Sequence, residues 1–337
     1  VQFLYLVFQS WKADYRAFAG ASKKEMKMNT SADIDITICE VGLRDGLQNA
    51  KNVMTTAAKK AWISQAVKAG MCAIEVCSFV PPKVIRGMED AKEVVAHSLS
   101  EKNLEVSVLS PNFRGAENAF GSLVDKVILP VSISDSHSRA NVRKTRAEMI
   151  EDFRQVCDAR DQLEGEYRPL IEAGLATAFG CTIEGKISER DVLETAVACI
   201  EAGADSVILA DTCGYANPKQ VQRLFKLTKA EVDDALNGVH LHNTYGLGLA
   251  NAFAAIEAGA TRLDSSFAGL GGCPFAPGAS GNIVTEDLVH MLEAQGLRTG
   301  IDIGELMHCR EIIKQALPND TLYGFLEEAG LPKGFVI

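Results

Sequence analysis

The chain has 337 residues, of which 47% are hydrophobic and 7% aromatic, and its formal net charge is −10 at pH 7. That length is normal for one α/β barrel, and the acidic balance excludes the basic face that a nucleic-acid partner requires. No apolar run reaches the roughly 20 residues of a membrane span, so no membrane partner is expected. An anionic small molecule would have to be held locally, by a metal or by a few placed Arg and Lys residues. The nine cysteines form no C-x-x-C pair, and Cys39, Cys72, Cys77 and Cys199 lie in apolar runs. They read as reduced, mostly buried thiols of an intracellular protein.

Residues 1–32 begin VQFLYLVFQSW and continue into a Lys-rich stretch with Met26 and Met28. This segment is expected to lie outside the core, as an artificial addition, a processed leader or a native extension. It has neither a transit-peptide pattern nor a clean signal-peptide cleavage site. The cytoplasm is therefore the expected compartment, with the mitochondrial matrix as the alternative.

From residue 35 onward, short β-rich runs alternate with helical stretches. Strands are predicted at 35–41, 72–78, 104–110, 126–132, 175–181, 205–210, 238–243 and 262–267. Between the first two, Lys59 to Lys68 reads as an amphipathic helix with Ala61, Ile63, Ala66 and Val67 inward and Gly70 closing it. KAGMCAIEV, EAGADSVIL and EAGATRLDS repeat one punctuation: a helix end, a Gly cap, then a parallel strand. The gap at 133–174 leaves room for a long or extra helix. Eight units point to a (β/α)8 TIM barrel over 33–300, with a helical extension over 301–337. An open doubly wound sheet is the alternative, but GLRDGLQN after the first strand is not the G-x-G-x-x-G that it would carry. In a barrel the site forms where strands end and βα loops begin.

At those ends the sharpest signal is His240-Leu241-His242. Residues two apart on a strand share a face, so both imidazoles point the same way, about 7 Å apart along the chain. They suit chelation of one divalent ion, or a pair of hydrogen-bonded core histidines. The first strand ends with Glu40, Arg44 and Asp45 within six residues. Asp45 is a candidate oxygen ligand and Arg44 a candidate stabiliser of an oxyanion, the alternative being a surface pair at a turn. Glu75 sits inside an apolar strand and needs a cation or hydrogen bonds, which Arg44 would supply. Asp211 takes the corresponding place on strand six, as a pocket acid or a cap. Cys273 lies in the Gly-rich last loop, where a thiol of lowered pKa can move a proton. Asn282 precedes a helix that it either caps or leaves to ligate a metal. His97, His137, His290 and His308 read as surface residues.

Together, EVGLRDGLQNAKN, IEVCSFVPPK, VLSPNFRGAENA, GCTIEGKIS, ADTCGYANP, HLHNTYGLGLAN and AGLGGCPFAPGASGNIVTEDLVHML resemble the 3-hydroxy-3-methylglutaryl-CoA lyase family over about residues 34 to 300. The resemblance implies that Asp45, His240, His242 and Asn282 bind Mg²⁺ or Mn²⁺ and that Arg44 sits beside the substrate carbonyl. It also implies that Cys273 is the catalytic thiol and that Glu40, Glu75 and Asp211 are supporting acids. The implied substrate is an acyl-CoA with a tertiary alcohol at C3, cleaved to acetyl-CoA and acetoacetate with Cys273 or His240 returning the proton. Oxygen ligands with two imidazoles suit Mg²⁺ or Mn²⁺ better than a thiolate-rich zinc site. A homo-oligomer, dimer or tetramer, is the expected assembly. Three positions depart from the family: Leu43 stands where Pro is typical, Asn243 where Asp is, and GCTIEG where GCPYEG is. Thr182 and Ile183 therefore leave the acyl group open to a related 3-hydroxyacyl-CoA. The alternative activity is a Claisen-type condensation of acetyl-CoA with a 2-oxo acid, towards which Asn243 leans and against which the Cys273 loop argues.

Overall fold

The computed structural model describes residues 34–81, 83–271 and 281–335. The N-terminal segment read as an extension, and Cys273 with its neighbours, lie outside the described residues.

Eight strands close into a parallel barrel in sequence order. They are β1 (Thr37–Glu40), β2 (Ala73–Ser78), β3 (Glu105–Leu109), β4 (Lys126–Ser132), β5 (Leu170–Ala176), β6 (Ser206–Asp211), β7 (Leu236–Leu241) and β8 (Arg262–Ser265). Closure is made by β1 pairing with both β2 and β8, which rules out the open sheet. Helices α1 (Thr56–Lys68), α2 (Ala91–Ser98) and α3 (Phe113–Gly121) follow the first three strands. After β4 come α4 (Asp135–Val142) and α5 (Arg146–Asp161), which fill the long gap. The remaining units carry α6 (Glu189–Glu201), α7 (Pro218–Val232), α8 (Gly248–Glu257) and α9 (Thr285–Ala294). Two more helices, α10 (Ile303–Ala316) and α11 (Phe325–Ala329), come after the last unit. Among the described residues no helix is long and apolar enough to cross a membrane.

The three repeated punctuation signals have one physical cause. Gly70, Gly203 and Gly259 take φ of +101°, +104° and +100°. In each case the next residue's N–H returns to a carbonyl five back: Met71 to Ala66, Ala204 to Cys199 and Ala260 to Ala255. This is the C-terminal motif that glycine permits without a Cβ penalty. It ends the helix and aims the chain into the next strand. In α1 the buried stripe is Lys59, Trp62, Ile63 and Ala66, so Trp62 takes the place expected for Ala61. Trp62 is fully buried and meets Phe267 edge-on at 5.9 Å between ring centroids.

The fifth strand lies five residues earlier than predicted. The apolar run 175–181 looked like a strand, but Thr177 adopts φ +60° and turns the chain. The true strand carries a charge, Glu172, which faces the barrel lumen and accepts from Ser206 Oγ at 2.8 Å. Lys126 Nζ lies 3.1 Å from Glu105 and 3.5 Å from Glu172, and Arg262 Nη2 lies 2.8 Å from Glu105. Glu105, Lys126, Ser206 and Arg262 are the first residues of their strands and Glu172 the third of its own, so the lumen floor is a layer of paired charges. Alternation then fixes what faces the lumen above them: Glu75 on β2, His240 on β7 and Asp264 on β8. Val239, Leu241 and Leu263 point outward into the core against the helices.

Candidate active site

Strand β1 runs into a single π-type turn, Gly42–Gly46. Such turns recur at functional sites because one inserted residue re-aims the side chains. Here Asp45 N–H and Arg44 N–H both return to Val41 O, at 2.7 and 3.1 Å. The turn thereby carries Arg44 and Asp45 to the end of the barrel at which the strands finish. Arg44 Nε donates to Glu75 Oε1 at 2.8 Å and Nη1 to Asp45 Oδ1 at 2.7 Å. The pair expected at a turn is thus real, but it is nearly buried and shared with a third group. Burial opposes Arg44's charge, yet the two carboxylates hold its pKa above the usual guanidinium value. Burial raises the Glu75 carboxyl above its ordinary value, although Arg44 pulls it down. Asp45 is held well below the usual carboxylate range: Arg44 and the two histidines outweigh the effect of burial.

His240 and His242 meet across the lumen end of β7, with Nε2 atoms 3.2 Å apart. His242 Nε2 lies 3.6 Å from Asp45 Oδ2. One ligand atom from each of Asp45, His240 and His242 lies within 4.8 Å of those from the other two. Asn282 reaches the same point on a segment that runs beside β7, where Ile283 N–H donates to Leu241 O at 3.2 Å. Its Nδ2 donates to Asp45 Oδ2 at 2.7 Å and to Leu270 O at 3.2 Å. Its Oδ1 is buried and finds no donor among the described residues. Asn282 does not cap α9, whose N-cap is Val284 without a side-chain bond.

These residues fit a divalent cation on three counts. The donors are carboxylate, amide oxygen and imidazole, the set that hard and borderline cations take. The orphaned Asn282 oxygen, which would otherwise carry a desolvation cost of about 1–3 kcal/mol, lacks a positive partner. Lastly, the carboxyl groups around the lumen (Asp45, Glu75, Glu105, Glu172, Asp264) outnumber the Arg and Lys side chains that meet them (Arg44, Lys126, Arg262), and an acid-rich surround favours a cation.

Two of the predicted acids stand apart from this cluster. Cys39, adjacent to Glu40, feels the lumen charges of Arg262 and Asp264, so Glu40 points to the opposite face of β1. There it accepts from Gly42 N–H (2.7 Å), Phe267 N–H (3.0 Å) and Thr285 Oγ1 (2.7 Å). Burial pushes its carboxyl up to about 8 against these donors. It ties the β1 turn to the segment after β8. Asp211 accepts from the N–H groups of Tyr215 and Ala216, at 2.9 and 3.1 Å, and shapes the turn after β6. Burial raises it to about 6 despite those bonds.

Sequence reasoning missed Asp264, which lies opposite His240 in the β7–β8 register. Its Oδ2 is 3.2 Å from His240 Nδ1. The signal that singled out Glu75, an acid inside an apolar strand, is missing here, because three of the four β8 residues, RLDS, are polar. Burial disfavours charged His240, but Asp264 outweighs it and raises the imidazole's pKa. His137 was read as a surface residue but is buried, with Nδ1 2.8 Å from Ser132 Oγ at the end of β4. Its sequence neighbours are polar, which hid a helix turn folded over the barrel rim.

The model of the HMGL-like family matches residues 35–313. The chain belongs to the HMGL-like family. It is 36% identical to the hydroxymethylglutaryl-CoA lyase YngG of Bacillus subtilis, over 84% of this chain and 93% of the relative. It is 37% identical to the mitochondrial hydroxymethylglutaryl-CoA lyase of Homo sapiens, over 85% and 87%. An HMG-CoA lyase from Acinetobacter baumannii, solved in complex with coenzyme A and 3-methylmalate, superposes with a TM-score of 0.82 at 38% identity. That alignment covers 90% of this chain and 97% of the other.

The departures from the HMGL-like pattern have local explanations. Leu43 is fully buried and fills the turn apolarly, as a Pro ring would. Asn243 Oδ1 accepts from Gly248 N–H at 2.9 Å at the start of α8. An Asp carboxylate oxygen could accept that bond as well. Thr182 and Ile183 lie in the tight Cys181–Gly185 loop beyond β5, where Ile183 is half exposed.

Proposed function

We propose that the chain cleaves 3-hydroxy-3-methylglutaryl-CoA, or a close 3-hydroxyacyl-CoA, to acetyl-CoA and acetoacetate. The observation that carries this is the meeting of Asp45, His240, His242 and Asn282 at one barrel end, with Arg44 pinned beside them. The curated relatives named as hydroxymethylglutaryl-CoA lyases, and the neighbour solved with coenzyme A, support it.

Asp45, His240, His242 and Asn282 would hold Mg²⁺ or Mn²⁺. When bound, the cation supplies positive charge that lowers the pKa of the substrate's C3 hydroxyl. Arg44 is held from two sides, so its charge stays at the mouth without reorganising, where it would stabilise the thioester enolate as the C2–C3 bond breaks. The C3 hydroxyl gives its proton to a general base, its O–H electron pair becomes the new C3=O bond, and the pair of the C2–C3 bond goes to C2. Cys273 would return a proton to C2, giving acetyl-CoA. Glu75 keeps Arg44 in place, while Glu40 and Asp211 hold the loops that frame the pocket.

Incubation with 3-hydroxy-3-methylglutaryl-CoA and Mg²⁺ or Mn²⁺ should release acetyl-CoA and acetoacetate in equal amounts by mass spectrometry. Cys273→Ala should lower the rate by about 10²–10⁴-fold, the scale of general acid–base catalysis. No product with either metal overturns this substrate. A panel of 3-hydroxyacyl-CoA thioesters in the same assay tests the acyl group that Thr182 and Ile183 leave open.

A further inference from the structure

The two imidazoles that face each other are not equivalent. Their Nε2 atoms are 3.2 Å apart, a contact that is attractive only if one nitrogen carries the proton and the other is bare. His242 Nδ1 is buried and has no partner among the described residues. His240 Nδ1 has one, the buried carboxylate of Asp264 at 3.2 Å. A carboxylate accepts and does not donate, so this contact requires the proton on His240 Nδ1, and in the neutral imidazole that a metal takes Nε2 is then the bare nitrogen.

Asp264 is itself well held. It pairs in register with His240 across β7–β8 and shares the lumen face of β8 with Arg262, two residues earlier. Arg262 is fixed to Glu105, and Glu105 to Lys126. The floor of paired charges therefore anchors the strand end from which Asp264 reaches the imidazole.

We infer that Asp264 is a positioning residue: it fixes His240 in the Nδ1–H tautomer, so that Nε2 is presented to a divalent cation before the cation arrives. This rests on the metal-site reading above. His240 is thereby the preorganised imidazole, while His242 Nδ1 has no such partner among the described residues. Partners of this kind set ring orientation and ligand basicity, and their loss lowers metal affinity by about 10–100-fold.

The test is Mn²⁺ binding to the full chain by titration calorimetry, for wild type, Asp264→Asn and Asp264→Ala, with thermal unfolding of the metal-free proteins alongside. Asp264→Ala should weaken Mn²⁺ binding by about 10–100-fold. Asp264→Asn keeps the side-chain shape but can donate to Nδ1, so it should also lose about tenfold or more, with little change in melting temperature. A merely structural role would move the melting temperature and leave the affinity alone. Wild-type affinity in both variants overturns the inference, and a wild-type chain that takes up no Mn²⁺ overturns the metal site itself. Should the variants fail to fold, long-range ¹H–¹⁵N correlation spectra of the metal-free wild type decide. His240 as the Nδ1–H tautomer supports the assignment, and the Nε2–H tautomer refutes it.

Discussion

Replacing Arg44 with Met should destabilise the metal-free chain by an amount that depends on pH. Arg44 Nε donates to Glu75 Oε1 at 2.8 Å, and Glu75 is 1% exposed. Without the guanidinium, Glu75 is a buried charge near Asp45 and Asp264, and folding will protonate it rather than keep it ionised. The cost of that protonation sets the ceiling. From the ordinary carboxyl value of 4.5, holding a proton at pH 7 costs about 2.5 × 1.36, or about 3.4 kcal/mol. At pH 5 the same proton costs about 0.7 kcal/mol. The sign follows from linkage: the variant's folded state binds a proton that its unfolded state releases above 4.5, so its stability rises as pH falls from 7 towards 4.5. Urea unfolding in chelator, at pH 7 and pH 5, reads the difference directly. Burial already raises Glu75 in the wild type, so the loss relative to wild type should stay below the ceiling of about 3.4 kcal/mol at pH 7 and below about 0.7 kcal/mol at pH 5. The double variant Arg44→Met/Glu75→Gln should show a smaller dependence on pH. An Arg44→Met loss of equal size at both pH values refutes the reasoning.

Three further outcomes are expected. Mn²⁺ at a hundred times its dissociation constant should stabilise the chelated protein by about 2.7 kcal/mol, read as a rise of about 5 °C in melting temperature that His242→Ala abolishes. Asn282→Ala removes both the oxygen left orphaned and the donor to Asp45; calorimetry should show Mn²⁺ affinity down about tenfold or more, about 1.4 kcal/mol. Gly271→Ala places a Cβ 2.8 Å from Asn282 Nδ2 and 3.3 Å from Asp45 Oδ2, at a φ of +108°. It should cost about 1–3 kcal/mol in urea unfolding and weaken Mn²⁺ binding at the same time.

The legible parts of this site are those encoded by local pattern. His240 and His242 share a face because strands alternate, and that needed only their spacing. The glycines at 70, 203 and 259 mark strand starts because their conformation is a backbone property. Glu75 was readable as paired because an acid in an apolar strand must find a cation. The same logic applied to Glu172 would have placed β5 correctly, but the neighbouring apolar run at 175–181 was the stronger local signal.

Sequence alone therefore determined the eight-unit alternation, the face on which the two histidines lie and the residue types that a hard cation would meet. Only closure of the barrel decided which of those residues meet. It set Asp264 beside His240 from the next strand and brought Asn282 across to Asp45, from 237 residues away. It also turned Glu40 to the outer face of β1, although Glu40 is only five residues from Asp45 in the chain. Side-chain direction alternates at every strand residue, and distance in the chain says nothing about which strand is the neighbour. Both are settled only when the first strand hydrogen-bonds to the last.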